Sequence, residues 1–373
     1  GPNLLYGGRQ LGKTAILRRV EFQRNRPDEG TWASYVDIRD MNHEYAVAAI
    51  GRALVRNGFL PTNSKPKTWK ELIDTIESQL MDNLLNREHR LLLMLDEADN
   101  ILKLFEEENF ETLGDMKRLQ QTTNGRFKFV LAGLHNVLRF SQKALGAYSV
   151  LPNLGGISIL PMKFSDGREL LEVPLSYLGF TIDQGQEDII AQILYNTNYF
   201  PGLIHFYARR LVEHMKEISP ELTMPPYKLS RDVLLRMIGD SFFRKQRTDK
   251  LMMTLKVDEK DQDAYYYTLA YALAMCSYDS EAVLLHGASA EAIKATCVKE
   301  SPDCRIGTLT DQQIEALLDE LVILNILRQE EQDGVRHYMF SRSSFLEMLG
   351  DENTVIERLL ETLEKETKHH DAG

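Results

Sequence analysis

The chain has 373 residues and a mass of 42.8 kDa, with 44 Lys+Arg against 55 Asp+Glu and a formal net charge of −11. With 43% hydrophobic and 27% charged residues it has the composition of a folded globular protein, and its length suits two or three domains. The acidic balance argues against a surface built mainly for nucleic-acid phosphates, although it leaves room for a local basic patch, and no apolar run reaches the ~20 residues that a bilayer crossing needs.

Three cysteines (Cys276, Cys297, Cys304) make no disulfide framework, so a reducing, cytoplasmic setting is expected. Cys297 and Cys304 lie near His286, at spacings that match no zinc site. No signal peptide opens the chain. Asn3-Leu4-Leu5-Tyr6 reads instead as a strand at the very start, which suggests a fragment of a longer protein, with Gly1-Pro2 as a cloning remnant.

Up to about residue 161, strand patterns alternate with helical ones. Trp32–Asp37, Arg90–Leu95, Phe127–Ala132 and Ile157–Pro161 read as strands; Ala46–Arg56 and Trp69–Leu85 carry apolar residues at helical spacing. That alternation predicts an α/β fold, a parallel sheet with helices on both faces. Residues 162–254 read as helical, with Ser165 or Asp166 as a cap and further helices at Asp188–Asn196 and Gly202–Lys216. Arg244, Lys245, Arg247 and Lys250 form a basic cluster expected to be a solvated helix face. Residues 255–350 read as helices Tyr265–Ser277, Ala288–Thr296 and Thr310–Leu324, then a hairpin turning at Asp333-Gly334, which is the plan of a winged helix. Residues 351–373 hold an amphipathic helix, Asn353–Thr367, and a polar tail.

The strongest motif is Gly7-Gly8-Arg9-Gln10-Leu11-Gly12-Lys13-Thr14, which fits G-x-x-x-x-G-K-[ST] at every fixed position. Glycines allow the tight turn that brings backbone N–H groups to phosphate oxygens, and the helix beginning at Lys13-Thr14-Ala15 points its positive end the same way. Lys13 is expected between the β- and γ-phosphates and the Thr14 hydroxyl on Mg²⁺.

Leu91–Leu95 is an apolar strand ending in Asp96-Glu97. Asp96 is the candidate for holding Mg²⁺, and Glu97 for polarising the attacking water. Asp96-Glu97-Ala98-Asp99 is not a helicase box, because no other helicase motif accompanies it; Asp99 and Asn100 are expected to cap the next helix. His135 and Asn136, after the fourth strand, are candidates to reach the γ-phosphate or the lytic water. Arg139 is a candidate phosphate contact in cis or in a neighbouring subunit.

Gly7–Thr14, the Leu95-Asp96-Glu97 strand end and Ala132–Asn136 together resemble the STAND NTPases and the archaeal-type ATPases of the AAA+ superclass. Leu160-Pro161 ahead of a helical lid, Pro201 and the winged-helix plan follow the same order. The resemblance implies an ATP-hydrolysing switch that holds ATP or ADP with Mg²⁺ between core and lid. Nucleotide state would then control closure and oligomerisation, with protein partners or an upstream effector, in signalling or antiviral defence. It also implies that Pro201 packs on the nucleotide; Tyr199 stands where the family's lid motif has glycine. The polar stretch Asp240–Asp261 is the expected moving link, and His337 an ordinary surface histidine.

The alternative is an initiator- or transposition-type AAA+ ATPase that binds DNA through the winged helix. There Thr310–Leu324 would be the reading helix, yet it holds Asp311, Glu315, Asp319 and Glu320 and no Lys or Arg. A third reading is an inactive P-loop scaffold, which steady phosphate release would exclude.

Overall fold

The computed structural model describes residues 3–81, 88–134, 155–182, 185, 188–218, 224–255 and 263–368. The chain divides into two compact units, Gly1–Gly7 with Gly12–Ile159, and Gly8–Leu11 with Leu160–Gly373.

The first unit is a parallel sheet of β1 (Leu4–Tyr6), β2 (Thr31–Asp37), β3 (Arg90–Asp96), β4 (Phe127–Gly133) and β5 (Gly156–Ser158), in the order β2-β3-β4-β1-β5. The strands are nearly continuous apolar runs because both sheet faces are covered. On one face α1 (Lys13–Arg24) packs Leu17 against Leu5, Ala33, Tyr35, Met94 and Ala132. On the other lie α2 (His43–Arg56), α3 (Trp69–Met81), α4 (Asp99–Glu107) and α5 (Glu111–Thr122), which bury Ile50, Ile76, Phe105 and Met116 against Leu93, Phe129 and Leu131.

Register decides what the sheet can display. Tyr6 pairs with Gly133 and Asp37 with Asp96, so four strands end level, and the loops that follow them share one edge. Neither Asp99 nor Asn100 caps α4, contrary to expectation. The cap position is Ala98, while Asp99 accepts the Leu134 N–H at 2.8 Å and Asn100 donates to the Met41 carbonyl at 3.0 Å. Longer-range partners outbid the local cap.

In the second unit, helices Phe164–Tyr177, Asp188–Asn196, Pro201–Ile218, Arg231–Gly239 and Ser241–Leu255 enclose a core of Leu171, Ile193, Ile204, Tyr207 and Phe243. The first of these starts at Phe164 with Lys163 in the cap position, so neither Ser165 nor Asp166 caps it, contrary to expectation; both lie inside the first turn, where the Ser165 hydroxyl donates to Asp166 at 3.1 Å. Arg247 is 8% exposed, so the basic cluster is not a uniformly solvated face. The stretch expected as a polar link is helical as far as Leu255, and residues 256–262 lie outside the described ones.

Two short strands, β6 (Phe180–Ile182) and β7 (Tyr227–Leu229), pair in parallel among these helices. Helices Asp263–Asp279, Ala290–Glu300 and Asp311–Ile323 follow, with an antiparallel sheet of β8 (Ala288–Ser289), β9 (Leu327–Gln332) and β10 (Val335–Phe340) in the order β8-β10-β9. Asp333 (φ 52°) and Gly334 (φ 78°) make the two-residue turn. Thr310 and Gln313 form a full capping box. Helix Glu352–Lys368 closes the unit with Val355, Leu359 and Leu363 buried. The three cysteines are buried and form no disulfide among the described residues, where no helix is long and apolar enough to cross a membrane.

Two substitutions separate core packing from capping. Leu131→Ala, at a fully buried sheet position, is expected to cost about 2–5 kcal/mol, and Thr310→Ala about 1 kcal/mol. Urea titrations followed by circular dichroism check both values.

Candidate functional site: a phosphate loop and two carboxylates

The loop after β1 turns by means of its glycines. Gly7 has φ 156°, and a Cβ there would meet the Ile159 carbonyl oxygen at 2.9 Å; Gly12 is left-handed at φ 87°. Gly12 occupies the N-cap of α1, so the helix opens directly at Lys13 and its positive end lies at the loop. The Lys13 ammonium is buried and donates to the Gly7 carbonyl at 2.8 Å, folding the side chain back across the loop.

Asp96 ends β3 and is 1% exposed. Its Oδ2 accepts from the Thr14 hydroxyl at 2.6 Å and from the Tyr35 hydroxyl at 3.0 Å, while its Oδ1 accepts the Glu97 N–H at 3.1 Å. A buried carboxylate needs such donors. Burial, and then the charge of Asp96, push the Tyr35 phenol far up, so it stays a neutral donor.

Glu97 follows in the left-handed region at φ 56°, an unusual conformation for a residue with a side chain and one that clusters at functional sites. Burial raises its carboxyl above the usual range; Arg39 and Lys13 pull it back, and Asp96 and Asp99 add to the rise. Arg39 reaches Glu97 at 3.3 Å and is 60% exposed, so solvent screens that pair.

The oxygen pair of Thr14 and Asp96 fits Mg²⁺, a hard cation that takes few protein ligands and completes its octahedron with waters and phosphate oxygens. Among the described residues no group of three His, Cys, Asp or Glu could hold a metal, which sets this pair apart from an all-protein cage.

Gly8–Leu11 cluster with the second unit. There the Gln10 carbonyl accepts the Gly202 N–H at 3.0 Å, and the Gln10 side chain donates to the Lys250 carbonyl at 2.8 Å. Gly202 allows this approach, since a Cβ on it would meet the Gln10 Cβ at 2.7 Å. Pro201 begins the helix that carries Gly202. Tyr199 adopts φ 59°, the conformation a glycine would favour at that place, and the Arg342 guanidinium covers its ring at 4.3 Å.

The structure therefore gathers Gly7, Gly12, Lys13, Thr14, Asp96 and Glu97, and places Gln10 beside Gly202. His135, Asn136 and Arg139 lie outside the described residues. His337 is exposed on β10. Tyr35 and Arg39 escape a reading of the sequence, which gives Asp99 only as a helix cap. Tyr35 and Arg39 reach the carboxylates only because β2 pairs with β3, and nothing local marks them.

A family profile described as an AAA domain matches residues 1–140. Among solved structures, the Walker-type ATPase of Pyrococcus abyssi superposes with a TM-score of 0.61 at 14% identity, covering 93% of this chain and 90% of that one. The ORC2 protein of Aeropyrum pernix, solved in ADPNP–ADP complexes, gives 0.55 at 15% identity, covering 98% and 88%. Comparison with curated protein sequences gave no match. The fold is that of a P-loop ATPase. At these identities the likeness is one of fold, and it extends over both units.

Removing Arg39 tests the electrostatics of the carboxylates. Arg39→Ala takes away the largest influence holding Glu97 down, so its titration should move to still higher pH, read by NMR of ¹³C-labelled glutamate. An unchanged or lower titration would contradict the arrangement.

Proposed function

We propose that this chain is an Mg²⁺-dependent ATPase with the architecture of origin-recognition initiators. The observation that carries the reading is the Thr14–Asp96 contact beside Glu97, at the mouth of a glycine turn that opens a helix. The resemblance over nearly the whole chain to ORC2, a protein solved with ADPNP and ADP, supports it.

In this reading the loop N–H groups and Lys13 hold the β- and γ-phosphates, exchanging the Gly7 carbonyl for phosphate oxygens. Thr14 and Asp96 would hold Mg²⁺, which would supply positive charge beside the phosphates. Tyr35 keeps Asp96 oriented. Glu97, poised by burial nearer neutral pH, accepts a hydrogen bond from the attacking water and turns it toward the γ-phosphate. His135, Asn136 and Arg139 remain proposed sensors of the γ-phosphate, and Pro201 the proposed nucleotide contact of the lid.

Lys13→Ala should weaken binding of a fluorescent ATP analogue by about 100-fold. Glu97→Gln should leave that binding intact and stop phosphate release. Unchanged affinity in the lysine variant would remove the loop from the mechanism.

A second reading, the STAND-type switch acting through protein contacts, is favoured by the charge of the last module, which we take to be a winged helix. On helix Asp311–Ile323 the outward acids are Asp311, Glu315 and Asp319, because Glu320 is buried and takes the Tyr266 hydroxyl. Arg336 of the hairpin is bound by both Glu315 and Asp319, which cancels its charge. Such a face repels phosphates. A salt-dependent gel shift with duplex DNA is expected under the initiator reading. ATP-dependent growth in size by light scattering, without DNA retention, is expected under the switch reading.

A further inference from the structure

The outer surface of the first unit holds a groove of about 510 Å³, a volume within the range of binding sites. One wall is α2, which turns Ala48, Gly51, Arg52, Val55 and Arg56 to it. At 3.6 residues per turn these share one side of the helix, opposite the side that buries Ile50, Ala53 and Leu54. The other wall is residues 62–67, through Thr62, Ser64, Lys65, Pro66 and Lys67.

The second wall is held close to the helix. Pro66 lies on Gly51, where a Cβ would meet the proline ring at 3.1 Å, so glycine permits the approach. The Ser64 N–H donates to the Pro61 carbonyl at 3.0 Å, and the Lys67 N–H to the Glu71 carboxylate at 2.7 Å. The groove between the walls combines apolar surface from Ala48, Val55 and Pro66 with two pairs of cations, Arg52 and Arg56 from the helix and Lys65 and Lys67 from the segment.

Charge is segregated here. Residues 45–70 contain Arg52, Arg56, Lys65, Lys67 and Lys70 and no Asp or Glu, in a chain with 55 Asp+Glu against 44 Lys+Arg. Glu44 and Glu71 bracket the stretch, and neither is among the described lining residues. All four lining cations are exposed, and none of their side chains forms an ion pair or hydrogen bond with a described residue. Like charges gathered along one concavity focus a positive potential into it, which an anionic partner relieves.

The shape selects among anions. Arg52 and Arg56 are one helical turn apart, and the α2 wall from Ala48 to Arg56 is about 12 Å long. A compact anion would leave half the cations and the apolar surface unused. No aromatic residue is among the described lining residues, so bases of a nucleic acid find no stacking platform. An elongated partner with both apolar and acidic side chains uses every group.

We propose that this groove docks an acidic amphipathic peptide segment of a partner protein, about two helical turns long. Its apolar side chains lie on Ala48, Val55 and Pro66, and its carboxylates meet Arg52, Arg56, Lys65 and Lys67. The site is separate from the phosphate loop and does not depend on nucleotide hydrolysis.

The probe is a synthetic peptide of Leu and Glu at helical spacing, carrying an uncharged dye and titrated with the full chain by fluorescence anisotropy. At low salt it should bind saturably with Kd below about 100 μM, and severalfold more weakly at about 0.3 M salt. Peptides with Gln for every Glu, or Ser for every Leu, should each bind at least about tenfold more weakly. The double variant Arg52→Glu/Lys65→Glu, at two exposed positions, should also lose at least about tenfold while keeping its circular dichroism spectrum. It should still bind a fluorescent ADP analogue as before, so failure here is distinguishable from failure of the phosphate loop. The proposal is overturned by an unchanged anisotropy, by equal affinity in the charge-reversed variant, or by equal affinity of the serine peptide. It is also overturned if duplex oligonucleotide binds in place of the peptide and the same variant abolishes that binding, which would assign the cations to nucleic acid.

Discussion

The hydrogen bond from Thr14 to Asp96 is the contact on which the rest of the site depends. Its two ends are 82 residues apart in sequence and sit on strand-to-helix junctions separated by the intervening strand β4. It forms because β1, β3 and β4 end level, and because Gly12 can turn left-handed and start α1 at the lysine. A bulkier residue at Gly12 would shift the helix start and leave Asp96, almost wholly buried, short of a donor. The same oxygen pair that stabilises the sheet edge is the one suited to Mg²⁺.

Glu97 shows the opposite economy. Its left-handed backbone and its raised carboxyl are both unfavourable locally, and the surrounding sheet tolerates them. A carboxylate held partly desolvated, with one screened arginine as its counter-charge, is a better proton acceptor than a solvated one. Asp96, next to it in sequence, is surrounded by donors instead. Two adjacent acids thus acquire different chemistry from different environments.

The second unit supplies a different lesson about charge. Helix Asp311–Ile323 turns acids outward, and Arg336 of the hairpin that packs on it is held in pairs with Glu315 and Asp319. Tyr338 reinforces this by donating to Asp319, and burial and that carboxylate push its phenol up. Acid, arginine and tyrosine form one network that braces the hairpin on its helix. Structure, rather than phosphate contact, accounts for those side chains.

Much of the fold was readable beforehand. The alternation of apolar strands and amphipathic helices, the glycine turn and the Asp333-Gly334 hairpin turn are local patterns, governed by backbone sterics and periodicity within a few residues. For the same reason the phosphate loop and the Asp96-Glu97 strand end stood out. What tertiary structure alone decided is pairing. Tyr35 and Arg39 became partners of the carboxylates, Asp99 abandoned its helix for the Leu134 amide, and Arg247 was buried. Each of these depends on strand register and long-range packing, where a side chain's partner is set by geometry hundreds of atoms away and leaves no trace in its neighbours along the chain.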